Sequence, residues 1–222
     1  MNIRFPNSTE ITSYDELFDA LIKLGDQVKS LLNDLGLYHL DNIKILRSRK
    51  MYCYYELNSK NIYLSLPSEK TPNLRLVLAL YKDLLKLKSD DELFSFIHSY
   101  MPFVVFHEIA HFLRDANNKM TNNLWYEEQV ANRLASSLYH LLMDERETID
   151  LVKNLTQVVM ALGKKEGGDH WSNIVGDEKM TSFDQVYTQN LQQYFCLQVS
   201  WALIDIQHVE NKSFSKLRNL FL

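Results

Sequence analysis

The chain has 222 residues, 46% hydrophobic and 12% aromatic, enough to bury a substantial core as one domain with an appendage. A formal net charge of −4 argues against a dedicated nucleic-acid surface, because phosphate binding rests on clustered Lys and Arg; the one compact basic run, Arg47-Ser48-Arg49-Lys50, reads as a solvated turn. The first residues hold no apolar signal region and nowhere do eighteen apolar residues run uninterrupted, so a cytoplasmic protein without a membrane partner is expected.

Two cysteines, Cys53 and Cys196, lie among aromatic and apolar neighbours and read as reduced, buried thiols. Six glycines and four prolines predict long elements with few breaks, and the fold class expected is α+β, mostly helical. Ser13 and Glu16 form a capping-box pair. Leu17, Leu21, Leu24, Val28, Leu31 and Leu35 follow at three-to-four-residue intervals, which predicts an amphipathic helix over about 13–35 closed by Gly36. Between Ile43 and Leu66 the pattern changes. Tyr52 to Tyr55 and Ile62 to Leu64 flank the polar turn Asn58 to Asn61, predicting two or three antiparallel strands.

Thr71 before Pro72 reads as a helix start, continued by Leu74, Val77, Leu78, Tyr81, Leu84 and Leu85. Ser89 and Glu92 cap a further stretch toward Met101. Pro102, lacking a backbone N–H, is expected to begin or kink the next helix, over 103–114. A polar run from Asp115 to Asn123 then reverses the chain, and an apolar stripe from Leu124 to Leu142 predicts the returning helix. Thr148 to Gly163 reads as another helix, Gly163 to Gly168 as a linker, and about 182–209 as a last long helix. On it Tyr187, Leu191, Tyr194, Phe195 and Trp201 form a stripe read as core. The boundaries expected are 1–36 for the N-terminal helix, 37–145 for a central unit and 146–222 for a C-terminal helical extension, packed as one body.

Chemistry dictates the residues in Phe106-His107-Glu108-Ile109-Ala110-His111-Phe112. On a helix His107 and His111 lie one turn apart on one face, so both imidazoles can address a single ion. A chance His-Glu-x-x-His is uncommon at this composition, roughly one per hundred such chains. A catalytic zinc takes three protein ligands and leaves one position open. No cysteine lies between His111 and Cys196, while the adjacent Glu127 and Glu128 open the returning helix, where an antiparallel partner presents a carboxylate; one of the two is the expected third ligand.

The stretch Glu128-Gln-Val-Ala131-Asn132-Arg-Leu-Ala135, a short loop after the motif, resembles the gluzincin metallopeptidases, most closely the ImmA/IrrE type, with Lit-type phage-exclusion peptidases a near alternative. The resemblance is specific over 107–135 and loose over about 40–143. Ala110, Val130 and Met143-Asp144 depart from the family pattern without removing a ligand. It implies a zincin-like core in which a small antiparallel sheet packs on the motif helix, one Zn²⁺ held by His107, His111 and Glu128, and Asn132 orienting a ligand histidine. It further implies a protein or peptide substrate, aligned on a strand such as Ile62 to Leu66.

Glu108, beside the ligands but not one of them, is the expected general base. The oxyanion donor is left open among Tyr126, Tyr139, His140 and His170. His39, His98 and His208 lack a partner at ligand spacing. The alternative function is a non-catalytic zinc-binding regulatory or interaction protein; a structural zinc, however, needs no general base and normally takes a fourth protein ligand.

Overall fold

A computed structural model of the protein describes residues 3–34, 36, 43–163 and 191–208. Six helices and three short strands are formed among them: α1 (Tyr14–Asp34), β1 (Ile45–Arg47), β2 (Tyr54–Glu56), β3 (Asn61–Leu64), α2 (Leu74–Leu85), α3 (Asp90–Ala116), α4 (Leu124–Leu142), α5 (Glu145–Gly163) and α6 (Leu191–His208). The class is α+β and mostly helical. One hydrophobic core runs through the described residues, from Phe5 and Ile11 through α1, the sheet and α3 to Val199 and Ile206 of α6.

α3 is the axis of that core. Ser89 caps it, accepting from the Glu92 N–H at 3.1 Å, while the Glu92 carboxylate accepts from the Lys88 N–H at 2.7 Å. Pro102 lies inside the helix, so of the two expectations, a start or a kink, it does not begin a helix there. A proline inside a helix costs about 3 kcal/mol or more. Burial on all sides offsets it, since every residue from Met101 to His111 is buried. Side chains also serve the turn before the proline: Ser99 Oγ donates to the Phe96 carbonyl, and Asn154 Nδ2 of α5 donates to Ser99 Oγ at 2.8 Å. α3 is long and apolar enough to cross a membrane by length and composition, and 78% of its most apolar window is buried inside the protein.

The sheet is mixed rather than antiparallel, with order β1-β3-β2. β2 and β3 form the expected hairpin, with Tyr54 opposite Tyr63 and their rings stacked at 4.8 Å. β1, however, lies parallel to β3 on its far side, Ile45 opposite Ile62. Packing puts it there. Gly25 of α1 carries no Cβ where Ile45 Cδ1 sits, and Arg47 is tethered from three sides. Its guanidinium pairs with Asp15, donates to the Leu66 and Pro67 carbonyls, and lies over the Phe18 ring at 4.1 Å. Arg47 is thus a structural anchor, and only Ser48 to Lys50 form the turn read from the basic run.

Two helix starts differ from expectation. α2 begins after Asn73, which is in the left-handed region (φ 56°) and gives no side-chain cap. The Thr71 hydroxyl is used instead to accept from the Ser68 N–H within the preceding turn. α5 starts three residues before Thr148 because Asp144 and Glu147 exchange side-chain and backbone hydrogen bonds as a capping box. The Ser13 and Glu16 box of α1 forms as read. The Gly163 to Gly168 linker beyond its first residue, the 182–190 portion of the last helix and His39 lie outside the described residues.

Candidate metal centre

α3 contributes His107, Glu108 and His111; α4 contributes Glu127, Glu128 and Asn132. The two helices meet through Ala110, Ala131 and Ala135, all fully buried, and small side chains there let the backbones approach closely. Asn123 fixes the start of α4 by accepting from the Tyr126 N–H at 3.0 Å, which sets the turn on which both glutamates stand.

The donor atoms of His107, His111 and Glu128 converge. His107 Nε2 and His111 Nε2 are 3.0 Å apart, Glu128 Oε1 is 3.0 Å from His111 Nε2, and Glu128 Oε2 is 3.3 Å from His107 Nε2. Ligands about 2.0 to 2.1 Å from one tetrahedral zinc stand about 3.3 Å from each other, so this triangle is near the size such a site requires. All three residues are buried, and together they could hold a metal ion. On the far side of the first imidazole, His107 Nδ1–H donates to Asn132 Oδ1 at 2.9 Å, leaving the Nε2 lone pair turned to the centre.

Electrostatics describe the same cluster as a buried ion pair. Burial lowers the affinity of His111 for its proton, but Glu128, with Glu127 and Glu108, outweighs it and pushes the imidazole up to about 10. Burial likewise raises the Glu128 carboxyl, and the two histidines more than reverse that, holding it well below the carboxylate range. A proton or a cation satisfies such a site. His111 Nδ1 has no hydrogen-bond partner among the described residues, Glu127 Oε1 being 3.8 Å away, which is close but beyond a hydrogen bond.

Glu108 is 4% exposed and lies at the wall of the cleft beside the cluster. Burial raises its carboxyl, and the two histidines, with a smaller contribution from the Tyr55 backbone on β2, oppose this. A carboxyl raised in this way binds a proton more readily than a free carboxylate does.

Glu127 and Glu128 divide cleanly. Glu127 stands at the edge of the cluster, its Oε1 3.8 Å from His111 Nδ1, and takes the Arg114 guanidinium on both oxygens, Nε to Oε1 and Nη2 to Oε2. Arg114 also donates to the Lys119 carbonyl, and the Thr121 N–H reaches Glu127, so the pair pins the α3–α4 loop. That Arg114 lies one turn beyond His111 was a sequence signal for this pairing. Gln198 of α6, whose Nε2 donates to Glu128 Oε2 at 3.0 Å, had no such signal, lying seventy residues from its partner.

The cleft in front of the centre encloses about 350 Å³. One wall is the run Met51 to Tyr55; the other is apolar, with Tyr81, Leu85, Phe96 and Phe195. Cys53 is free and faces this cleft, its Sγ accepting from the Ser65 N–H, and burial pushes its thiol up to about 12; the Cys196 side chain lies outside the described residues. Phe195 packs edge-on against Tyr81 at 6.3 Å.

Of the residues considered as oxyanion donors, Tyr126 is 50% exposed and does not line the cleft. The Tyr139 hydroxyl donates to the Glu147 carbonyl, His140 Nε2 bonds the Ile206 carbonyl, and His170 lies outside the described residues. Tyr100, which the sequence did not single out, does line the cleft. His98 and His208 bond the Pro6 and Ile204 carbonyls and take no part in the cluster. β3 is the central strand, paired on both sides, so the stretch Ile62 to Leu66 has no edge to offer a peptide; β2 has the free edge next to the cleft.

No protein-family model, curated protein sequence or solved structure matches this chain.

Proposed function

We propose that this protein is a zinc-dependent endopeptidase of the gluzincin kind, acting on a protein substrate. The observation that carries the reading is the convergence of His107, His111 and Glu128 on one point, with Glu108 beside it at the wall of an open cleft. Three protein donors of N, N and O type, with Asn132 behind one imidazole, suit a zinc site that keeps a position open. The resemblance of residues 107–135 to the ImmA/IrrE peptidases and to a zincin-like core supports the same reading.

A zinc ion bound there supplies Lewis-acid polarisation of a carbonyl and brings the pKa of a water toward neutrality. Glu108 takes the proton of the attacking water and delivers it to the amine that leaves. Glu108 is buried at the wall of the cleft, where burial raises its carboxyl. An extended peptide aligns along the free edge of β2, by main-chain hydrogen bonds, and lays an apolar side chain against Tyr81, Leu85 and Phe96. The alternative, a regulatory protein that binds zinc without cutting, leaves Glu108 without a task.

Glu108→Gln separates the two. The variant is expected to retain one zinc per chain and the native fold while cleavage falls about 10²-fold to 10⁴-fold, read by metal analysis beside a proteome-wide comparison of new termini in cells expressing either form. Equal cleavage by both forms, or a wild-type protein that binds no zinc, overturns the proposal.

A further inference from the structure

α6 docks through an apolar face, with Val199 and Ala202 fully buried, Ile206 2% exposed and Phe195 against the cleft. Gln198 interrupts that face. A carboxamide half-buried in an apolar seam is costly unless it is bonded, and this one donates its Nε2–H to Glu128 Oε2 across seventy residues of chain. We propose that Gln198 is a positioning residue for the metal carboxylate: it occupies Glu128 Oε2 and so leaves Oε1 as the single ligating oxygen. The proposal rests on the metal-site reading above.

The geometry around Glu128 supports this division of its two oxygens. Oε1 is the closer to a histidine donor, 3.0 Å from His111 Nε2, while Oε2 stands 3.3 Å from His107 Nε2 and holds the amide. A carboxylate held on one oxygen stays monodentate, and a monodentate third ligand preserves the open position that hydrolysis needs. Hydrogen-bond partners of ligating groups tune metal affinity about 10-fold to 100-fold. The contact also couples two parts of the chain. Metal binding and the docking of α6 each favour the other by the same free energy, so the C-terminal helix is part of the site.

The test uses the full-length chain and zinc alone, measured by chelator competition, with cobalt substituted for the absorption spectrum. Gln198→Met keeps the shape and removes the N–H, and Gln198→Asn keeps the amide but withdraws it by one methylene. Both are expected to weaken zinc about 10-fold to 100-fold and to shift the cobalt spectrum from the intense bands of a four-coordinate site toward the weaker ones of five coordination. The metal-free variants should keep the native fold and a cooperative unfolding transition, and Gln207→Met, on the exposed side of the same helix, should leave affinity and spectrum unchanged. Wild-type zinc affinity and cobalt spectrum in the Gln198 variants overturn the positioning role while leaving the metal centre standing. If Gln198→Met does not fold, Gln198→Asn decides between the outcomes. Failure of the wild type to bind zinc fails the underlying reading instead.

Discussion

The two sides of the candidate metal centre are built in opposite ways. On one side, α3 and α4 present His107, His111 and Glu128, with Asn132 behind His107, from two helices joined by a short loop, so the donors come from within about twenty residues of one another. On the other, Tyr55 of β2 and Gln198 of α6 reach Glu108 and Glu128 from fifty-three and seventy residues away. The near side supplies the candidate ligands and the far side braces two of the carboxylates. Deleting a near-side ligand should therefore abolish binding outright, whereas loss of a supporting contact should grade it.

The adjacent glutamates give the sharpest contrast and the largest effects. Glu128→Ala is expected to lose zinc while the chain stays folded. Glu127→Ala should keep zinc but destabilise the protein by about 3 to 5 kcal/mol, because the buried Arg114 guanidinium is left without its carboxylate. Metal analysis and denaturant unfolding of the two variants side by side read both quantities. If Glu127→Ala lost the metal and Glu128→Ala kept it, the assignment of roles would be reversed.

Asn132→Ala should fall between. It removes the acceptor that fixes His107 Nδ1–H, and a loss of about 10-fold to 100-fold in zinc affinity is expected with little change in the metal-free fold, measured by the same chelator competition. An unchanged affinity would place Asn132 outside the site.

The smallest effect lies at the far end of α6. Burial raises the Asp205 carboxyl to about 6, with Arg133 and His208 opposing. Because the folded-state value exceeds the unfolded one, the native state holds the proton more tightly. The stability this contributes is fully present below about pH 4 and is lost as pH rises through about 6. Asp205→Asn, which cannot ionise, should match the wild type at pH 4 and exceed it by about 1 kcal/mol at pH 7, the figure being reduced for partial solvent screening. Denaturant unfolding at the two pH values checks it, and a difference that grows toward acid would contradict the sign.

Much of the frame was legible in the residues. The Ser13 and Glu16 box, the Ser89 cap, the β2–β3 hairpin and the spacing of His107, His111 and Glu128 all rest on interactions within a few residues or on periodicity, which sequence records directly. Thr71 as a helix cap, and Pro102 as a helix start, misled because local preference lost to context. Burial all around α3 outweighed the missing N–H, and the Thr71 hydroxyl found a nearer N–H than the helix start.

Taken alone, the sequence determined the helical character, the two histidines at one-turn spacing and the pair of glutamates from which a candidate third donor is drawn. Only the tertiary structure decided which glutamate faces the histidines, that β1 lies parallel to β3, that β2 rather than β3 offers an edge, and that α6 reaches Glu128. The reason is physical. Periodicity and capping act between near neighbours, whereas the choice between Glu127 and Glu128 turns on where Arg114 and Gln198 stand once the core has closed.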